Sequence, residues 1–259
     1  MSRDFELLQQ VEQERNRWPH SSNAISEAIR VAGQKDAPGI AQEQAQSATH
    51  PGAYLDAAIR NELTKLVLRT FLSTPEIKVV MFTGVEAQEG AKWIAACTAD
   101  VLSNAIRGKV CLLDADLTCP ALHRYFSIPN QNGLAAVLCG SCSIERATKR
   151  VGENLWIVPA GTPQGRSQIT ATTFQAAVVD LLCWFDYVII SAPDSERYTE
   201  VSVIGAATEG AVLVLDAMLT RRVPAQDAKL ALEAAKIRIL GCVFNNRSFP
   251  VPNFIYSRL

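Results

Sequence analysis

The chain has 259 residues, of which 48% are hydrophobic and 20% charged, with a formal net charge of −1. That length and apolar content suit one large α/β domain with a flexible leader, and the near-neutral charge argues against nucleic acid or an anionic membrane as a bulk electrostatic partner. No apolar run approaches the roughly 20 residues that span a bilayer, so we expect a cytoplasmic protein that reaches a membrane only through a partner.

The N-terminal part differs in composition from the rest. Residues 1–19 place a few apolar side chains near one face, which predicts a short polar helix. Residues 20–51 are rich in Ser, Ala, Gln, Gly and Pro, which is typical of a flexible linker. Residues 52–259 are predicted to form one compact domain.

Helical and strand-like segments alternate along this domain. Helices are predicted over 53–72, 91–106, 168–183 and 223–237, with short helices in 120–150 and another ending near 207. Strands are predicted over 77–83, 109–116, 155–161, 186–194, 210–217 and 238–246. Strands that are apolar almost throughout indicate an α/β fold, a mostly parallel sheet with helices on both faces.

Four polar features fall at the carboxyl ends of predicted strands, where sheets of this kind carry their sites. They are the loop 84–93, the pair Asp114 and Asp116, the segment from Ser191 to Asp194, and Asn245 with its neighbour Asn246. We therefore expect these features to meet at one edge of the sheet.

The loop GVEAQEGAKW, residues 84–93, is close to a phosphate-binding loop, G-x-x-x-x-G-K-[ST]. Gly84 and Gly90 are one residue too far apart, and Lys92 comes one place late. Trp93 stands where a magnesium-binding hydroxyl belongs. The loop is a working nucleotide site, a lost one, or a turn that contains Gly and Lys by chance.

Four longer stretches resemble one family in order and spacing: the MinD/ParA-like P-loop ATPases, and within them the bacterial tyrosine kinases of capsule and exopolysaccharide synthesis. The stretches are VCLLDADLTCPALHRYFSIPNQNGLAAVLCG, NLWIVPAGTP, FDYVIISAPD and ILGCVFNN. The resemblance covers residues 77–247 and implies a P-loop NTPase-like three-layer sandwich. It also implies ATP or ADP with Mg²⁺ as cofactor, bound weakly or not at all in this chain.

The family's first motif, T-S-x-x-x-G-E-G-K-S-T, is altered here. Aligned through Thr83 and the Glu89–Gly90 pair, the motif gives cofactor-binding positions to Glu89, Gly90, Ala91, Lys92 and Trp93, and Gln88 replaces a glycine. Alanine cannot neutralise phosphate and tryptophan has no hydroxyl for Mg²⁺. Lys92 can rescue phosphate binding only through a local bulge, because one helical residue rotates a side chain by ~100°.

The other motifs of the family are partly kept. Ser191 stands where relatives have the Walker B aspartate, and Asn245 stands where relatives often touch the base. Asp114 and Asp116 match the second aspartate motif and are the catalytic candidates if the chain is active. The plainer alternatives are that the two carboxylates cap the following segment, that Asn245 ends a strand, and that Trp93 packs in the core.

No metal site beyond the nucleotide's own Mg²⁺ is predicted, because the C-x-x-C pair Cys139 and Cys142 has no further ligands nearby.

Three functions are consistent with these residues. The first is a non-catalytic pseudo-kinase or pseudo-ATPase of exopolysaccharide or capsule synthesis or export, which docks to a membrane polysaccharide co-polymerase (chain-length regulator) or to an active paralogue. The second is an active tyrosine autokinase or ATPase in which Lys92 binds phosphate and Asp114 or Asp116 recruits magnesium. The third is a MinD/ParA-like positioning protein.

Two features bear on assembly. The predicted helix 53–72 occupies the place of a basic helix that joins kinase subunits, and carries Glu62, Lys65 and Arg69, with Arg69 one residue too far along. Self-association through this helix is therefore a hypothesis. The tail has one tyrosine, Tyr256, where the kinases have several, and a single tyrosine is more often a docking or packing residue.

Overall fold

The computed structural model describes residues 55–72, 77–86, 89–162 and 169–246. The predicted N-terminal helix and the linker up to residue 51 lie outside these ranges. No helix within them is long and apolar enough to cross a bilayer.

The described strands are β1 (Val79–Gly84), β2 (Val110–Asp114), β3 (Lys149–Arg150), β4 (Leu155–Val158), β5 (Tyr187–Ser191), β6 (Gly210–Asp216) and β7 (Ile239–Asn245). The described α-helices are α1 (Ala57–Val67), α2 (Gly90–Ala105), α3 (Leu122–Tyr125), α4 (Leu134–Leu138), α5 (Ile144–Ala147), α6 (Ala171–Leu182), α7 (Tyr198–Gly205) and α8 (Arg222–Ala234).

The strands form one seven-stranded sheet in the order β3-β4-β2-β5-β1-β6-β7. Every neighbouring pair is parallel except β3 and β4, which confirms the predicted mostly parallel α/β fold. Strand β1 lies between β5, which belongs to the stretch FDYVIISAPD, and β6. The loop after β1 therefore sits beside the ends of both.

One element was predicted wrongly. Residues 149 and 150 were assigned to the short-helix region, but they form β3, antiparallel to β4 at the edge of the sheet. The guanidinium of Arg150 lies 5.3 Å from the ring centroid of Trp156 on β4, a cation–π contact that holds the edge strand. Two residues are too few to show the period-2 alternation that identifies a strand in a sequence.

The five inner strands of the sheet, from β4 to β6, are buried on both faces, which explains their continuous apolar runs. Alternate side chains such as Val80 and Phe82 of β1 and Leu112 of β2 belong to one core cluster with α1 and α2. Helix α2 is buried along most of its length because it lies between the sheet and α1. Its many alanines suit that position, since small side chains allow close approach on several sides.

The beginning and end of α1 follow from local chemistry. Asp56 caps the helix, with its Oδ1 accepting from the backbone N–H of Ile59 at 2.8 Å, which satisfies one donor of the first turn. After Val67 the chain continues as a π-helix over Leu68–Leu72. A π-helix bonds i→i+5 and has a wider turn. Arg69, the residue one place too far along, lies in this wider turn.

We expect Gly133→Ala to lower the free energy of unfolding by about 1–3 kcal/mol, the usual cost of forcing atoms into a packed region. A Cβ at Gly133 would overlap the carbonyl oxygen of Pro159, which accepts from the N–H of Leu134 at 2.8 Å. Urea denaturation measures the change. Gly241→Ala is the matched control, because a Cβ there meets nothing within 4 Å, and equal losses in the two variants would contradict the prediction.

Candidate functional site

A narrow cleft opens where β1, β6 and β7 end, as the positions of the polar features predict. Its lining residues are Gly84, Val85, Glu86, Gly90, Ala91, Val214, Asp216, Thr220 and Asn245. Three of the candidate cofactor-binding residues, at positions 90, 91 and 245, thus come together. The cavity volume is about 10 Å³, about the space that one water molecule needs.

Two side chains lie close to the glycines of this loop. A Cβ atom added to Gly90 would lie only 2.7 Å from Nδ2 of Asn245. A Cβ at Gly84 would overlap the carboxylate of Asp194. Asn245 thus covers the first residue of α2, and the carboxylate of Asp194 lies against Gly84.

Lys92 is directed away from the cleft into a buried ion pair. Its Nζ lies 2.7 Å from Oδ2 of Asp116, and the two side chains are only 6% and 4% exposed. The same ammonium donates to the carbonyl oxygen of Cys119 at 2.5 Å. Ala91, one residue earlier and ~100° around the helix, presents its methyl group to the cleft instead.

Asp116 is held ionised by the groups around it. Its Oδ1 accepts from the backbone N–H groups of Thr118 at 3.1 Å and Cys119 at 3.0 Å, and Nη1 of Arg197 lies 3.6 Å away. Burial by itself raises the pKa of Asp116, but the hydrogen bonds from Lys92 and from the two backbone groups outweigh burial and lower the pKa below its usual value.

Asp114 has the opposite electrostatic environment. It is fully buried, and its Oδ2 accepts from the N–H groups of Ala121 and Leu122, both at 3.2 Å. Burial raises the pKa of Asp114 to about 6, against the lowering effect of these hydrogen bonds and of the Lys92 charge. The carboxylate therefore binds the backbone at the start of α3, which is the capping arrangement considered as the plainer alternative.

Ser191 lies opposite Asp114 in the parallel pairing of β2 and β5. Its side chain is buried, and its hydroxyl has no hydrogen-bond partner among the described residues. A buried hydroxyl without a partner forfeits the hydrogen bonds that it makes in water. The residue at the Walker B position thus contributes no charge to the site, and no side-chain hydrogen bond among the described residues.

The remaining two candidates join α2 to α3 and lie outside the cleft lining. Trp93 packs edge to face against Tyr125, with ring centroids 5.2 Å apart and an interplanar angle of 85°. Oε1 of Glu89 pairs with Nη2 of Arg124 at 2.5 Å, and both side chains are more than half exposed. The packing of Trp93 is the one that the plainer alternative describes.

Sequence reasoning missed three residues of this region. Arg197 approaches Asp116, and no motif signalled it, because it lies at the start of α7, far along the chain. Asp216 and Thr220 line the cleft, and Oγ1 of Thr220 accepts from the N–H of Asp216 at 2.9 Å, closing the turn after β6. Asp216 ends a predicted strand and was recognisable by that position. None of the seven cysteines forms a disulfide in this structure.

The fold defines a P-loop NTPase-like α/β protein. Solved structures with this fold include the chimerical protein CapA2B2, with a TM-score of 0.70 and 22% identity over 84% of this chain and 93% of that chain. Another is the septum site-determining protein MinD complexed with Mg-ADP from Pyrococcus horikoshii, with a TM-score of 0.55 and 22% identity over 70% of this chain and 75% of that one.

Sequence comparison relates the chain to protein-tyrosine kinases. The tyrosine-protein kinase YwqD of Bacillus subtilis is 29% identical over 175 residues, which are 66% of this chain and 73% of the relative. The putative tyrosine-protein kinase CapB of Staphylococcus aureus is 28% identical over 173 residues, covering 66% and 75%. No family model matches the chain. The chain is thus similar in sequence to bacterial tyrosine kinases and has a P-loop NTPase-like fold, as its motifs predicted.

We expect Lys92→Met and Asp116→Asn each to lower the free energy of unfolding by about 3–5 kcal/mol, because either change leaves a buried charge or its donors without a partner. The matched control is Lys65→Met, which breaks the exposed pair between Lys65 and Glu62, also 2.7 Å long, and is expected to cost less than about 0.5 kcal/mol. Urea unfolding with the double variant gives the coupling energy. Additive losses would show that the two residues do not stabilise each other.

We expect Asp114 to make the folded state less stable as pH rises from about 4 to about 6. Its folded pKa of about 6 lies above the unfolded value near 3.9, so the folded state holds the proton more tightly over that window. The free energy of unfolding therefore falls by about 2–3 kcal/mol over this window, and the loss is complete above pH 6. Unfolding free energies of the natural chain and of Asp114→Asn, measured from pH 4 to 7, should diverge over this window, and parallel curves would contradict the assignment.

Proposed function

We propose that this protein is a non-catalytic relative of the bacterial tyrosine kinases, a pseudo-kinase that acts in capsule or exopolysaccharide synthesis by docking to another protein. Homology to tyrosine kinases, among them the putative kinase CapB, supports the biological setting. The loss of catalysis is an inference from the site.

The observation that carries the proposal is the buried ion pair between Lys92 and Asp116. In a P-loop enzyme the loop lysine neutralises the β- and γ-phosphates, while a hydroxyl and a carboxylate hold Mg²⁺. Here the lysine and the carboxylate neutralise each other at 2.7 Å. Freeing both for a nucleotide would require breaking a contact whose two side chains are about 95% buried.

The surroundings of the cleft support weak or absent binding of ATP or ADP with Mg²⁺. Ala91 supplies only a methyl group, and Asp194 and Asn245 lie against the glycines on which a phosphate would rest. One favourable element remains, since the backbone N–H groups at the start of α2 provide a partial positive charge. We therefore expect any residual affinity to be low.

The partner that we propose is a membrane polysaccharide co-polymerase or a catalytically active paralogue, which would bring the protein to the inner face of the membrane. The outer side of α1 and its π-helical extension offers a surface for self-association, because Ile59, Leu68 and Leu72 are exposed there. The charges of Glu62 and Lys65 already pair within the helix, so this surface would act mainly through apolar contact.

An active enzyme is the second candidate, and the contact between Lys92 and Asp116 gives it a concrete form. If the ion pair opened, Lys92 would become available to phosphate and Asp116 to Mg²⁺. This candidate requires that Lys92→Ala and Asp116→Ala each abolish turnover.

The test is a titration of the full chain with a fluorescent ADP analogue and Mg²⁺ up to millimolar concentration, together with an assay of tyrosine autophosphorylation. We expect no saturable binding by the natural chain and a gain of binding in the variant Ala91→Lys/Lys92→Ser/Trp93→Thr, because it restores the lysine and the hydroxyls. Lys92→Ser alone is the matched control, since it breaks the ion pair without supplying a phosphate lysine, and it should stay silent. Circular dichroism checks that all three proteins are folded.

Magnesium-dependent binding by the natural chain, with autophosphorylation that Lys92→Ala and Asp116→Ala abolish, would overturn the proposal in favour of the active enzyme. Binding that is equal in the natural chain, the control and the triple variant would show that the loop residues do not decide affinity.

A further inference from the structure

The two edges of the sheet differ in how they are protected. One edge is β3, a strand of only two residues, Lys149 and Arg150; short, charged edge strands resist pairing with other strands. The other edge is β7, seven residues long and without a charged side chain, ILGCVFN. Among the described strands β7 pairs with β6 alone, so its outer N–H and C=O groups form an open template for a further strand.

Large apolar side chains gather at the carboxyl end of this edge. Phe244 of β7 is 59% exposed, and Met218, Leu219 and Val223 are each at least 64% exposed. They share one corner because Leu215 of β6 lies opposite Phe244, the turn after β6 carries residues 218 and 219, and α8 begins beside it. Neighbouring exposed apolar groups mark a surface that another segment covers.

The chain itself continues from this corner. Asn246 follows β7 with φ = +56°, a left-handed conformation that ends the strand, and its Nδ2 donates to Oδ2 of Asp216 at 2.6 Å. Residues 247–259, RSFPVPNFIYSRL, come next. They contain Phe254, Ile255 and Tyr256 in a run with high strand propensity, and both prolines precede this run.

We propose that residues 253–259 pair in the same molecule with the outer edge of β7 as an antiparallel strand and cover the apolar corner. The prolines then fall in the connection 247–252, where the missing N–H groups cost no ladder bond. A connection this short joins antiparallel strands, since a parallel crossover needs a dozen or more residues. Alternation places Phe254 and Tyr256 on one face of the sheet. The inference goes beyond the proposed function and makes Tyr256 a packing residue.

Covalent attachment favours this occupant over a second copy or a separate partner. A segment that is tethered to β7 through the seven residues 246–252 is present at an effective concentration in the millimolar range. Residues 247–259 carry Arg247 and Arg258 and no acidic residue, so no like charge opposes their approach to an uncharged strand.

The first measurement is hydrogen–deuterium exchange of the full chain and of a variant that ends at Arg247. We expect the outward amides of β7 to exchange at least about tenfold faster in the shortened variant, because they lose their hydrogen-bond partners. Strand β2, in the middle of the sheet, is the internal control and should be unchanged. Phe254→Asp/Tyr256→Asp in the full-length chain should reproduce the effect without removing any residue.

The second measurement uses Cys242, an exposed free thiol on β7. Single cysteines replace Phe254, Ile255, Tyr256 and Ser257 in turn, and each variant is oxidised mildly at micromolar protein concentration. Directly opposed residues of paired strands are close enough for a disulfide, so peptide mass spectrometry should find Cys242 joined within one chain at one of the four positions. Cys242→Ser is the control. Equal exchange in the two proteins, or a disulfide found only between two chains, overturns the proposal.

Discussion

The buried ion pair between Lys92 and Asp116 organises the carboxyl end of the sheet. It ties the first turn of α2 to the loop after β2, and the carbonyl oxygen of Cys119 accepts from the same ammonium. Burial makes such a pair sensitive to the loss of either member, so the two segments have one preferred arrangement. Lys92 and Asp116, two positions of the motifs, thereby neutralise each other within the chain.

Two carboxylates two residues apart have different environments. The ammonium of Lys92 and two backbone N–H groups surround Asp116 and lower its pKa, whereas Asp114, at the end of β2 beside β5, is fully buried, and burial raises its pKa to about 6. In a phosphoryl-transfer site both carboxylates would face a magnesium ion or its water shell. Here Asp114 accepts from the start of α3 and Asp116 accepts from the turn before it, so both oxygens of each carboxylate have partners in the chain.

The cleft and the open edge of the sheet are built from the same corner. Asp216 lines the cleft, receives the amide of Asn246, and ends β6 opposite Asn245. A segment that pairs with the outer edge of β7 would be separated from β1, the strand that leads into the loop of residues 84–93, by β7 and β6. The side chain of Asn245, at the end of β7, lies over Gly90.

The apolar runs and their alternation with helical patterns determined the parallel sheet, since only a sheet that is buried on both faces needs such strands. The order of the strands in the sheet, which places β1 between β5 and β6, is visible only in three dimensions. The two-residue strand β3 and the π-helical end of α1 had no sequence signal, because neither is long enough to establish a period. The motif residues could all be listed from the sequence, whereas Arg197 could not.

The sequence by itself determined which chemical groups are missing from the site: position 91 is alanine, 93 is tryptophan and 191 is serine, whatever the fold. Only the tertiary structure decided what the remaining lysine does. A side chain at position 92 can point toward the cleft or away from it according to the helix phase, and the choice depends on an acceptor 24 residues later in the chain. Asp116 supplies that acceptor at 2.7 Å in a buried setting, where a charge without a partner would be far more costly than in water.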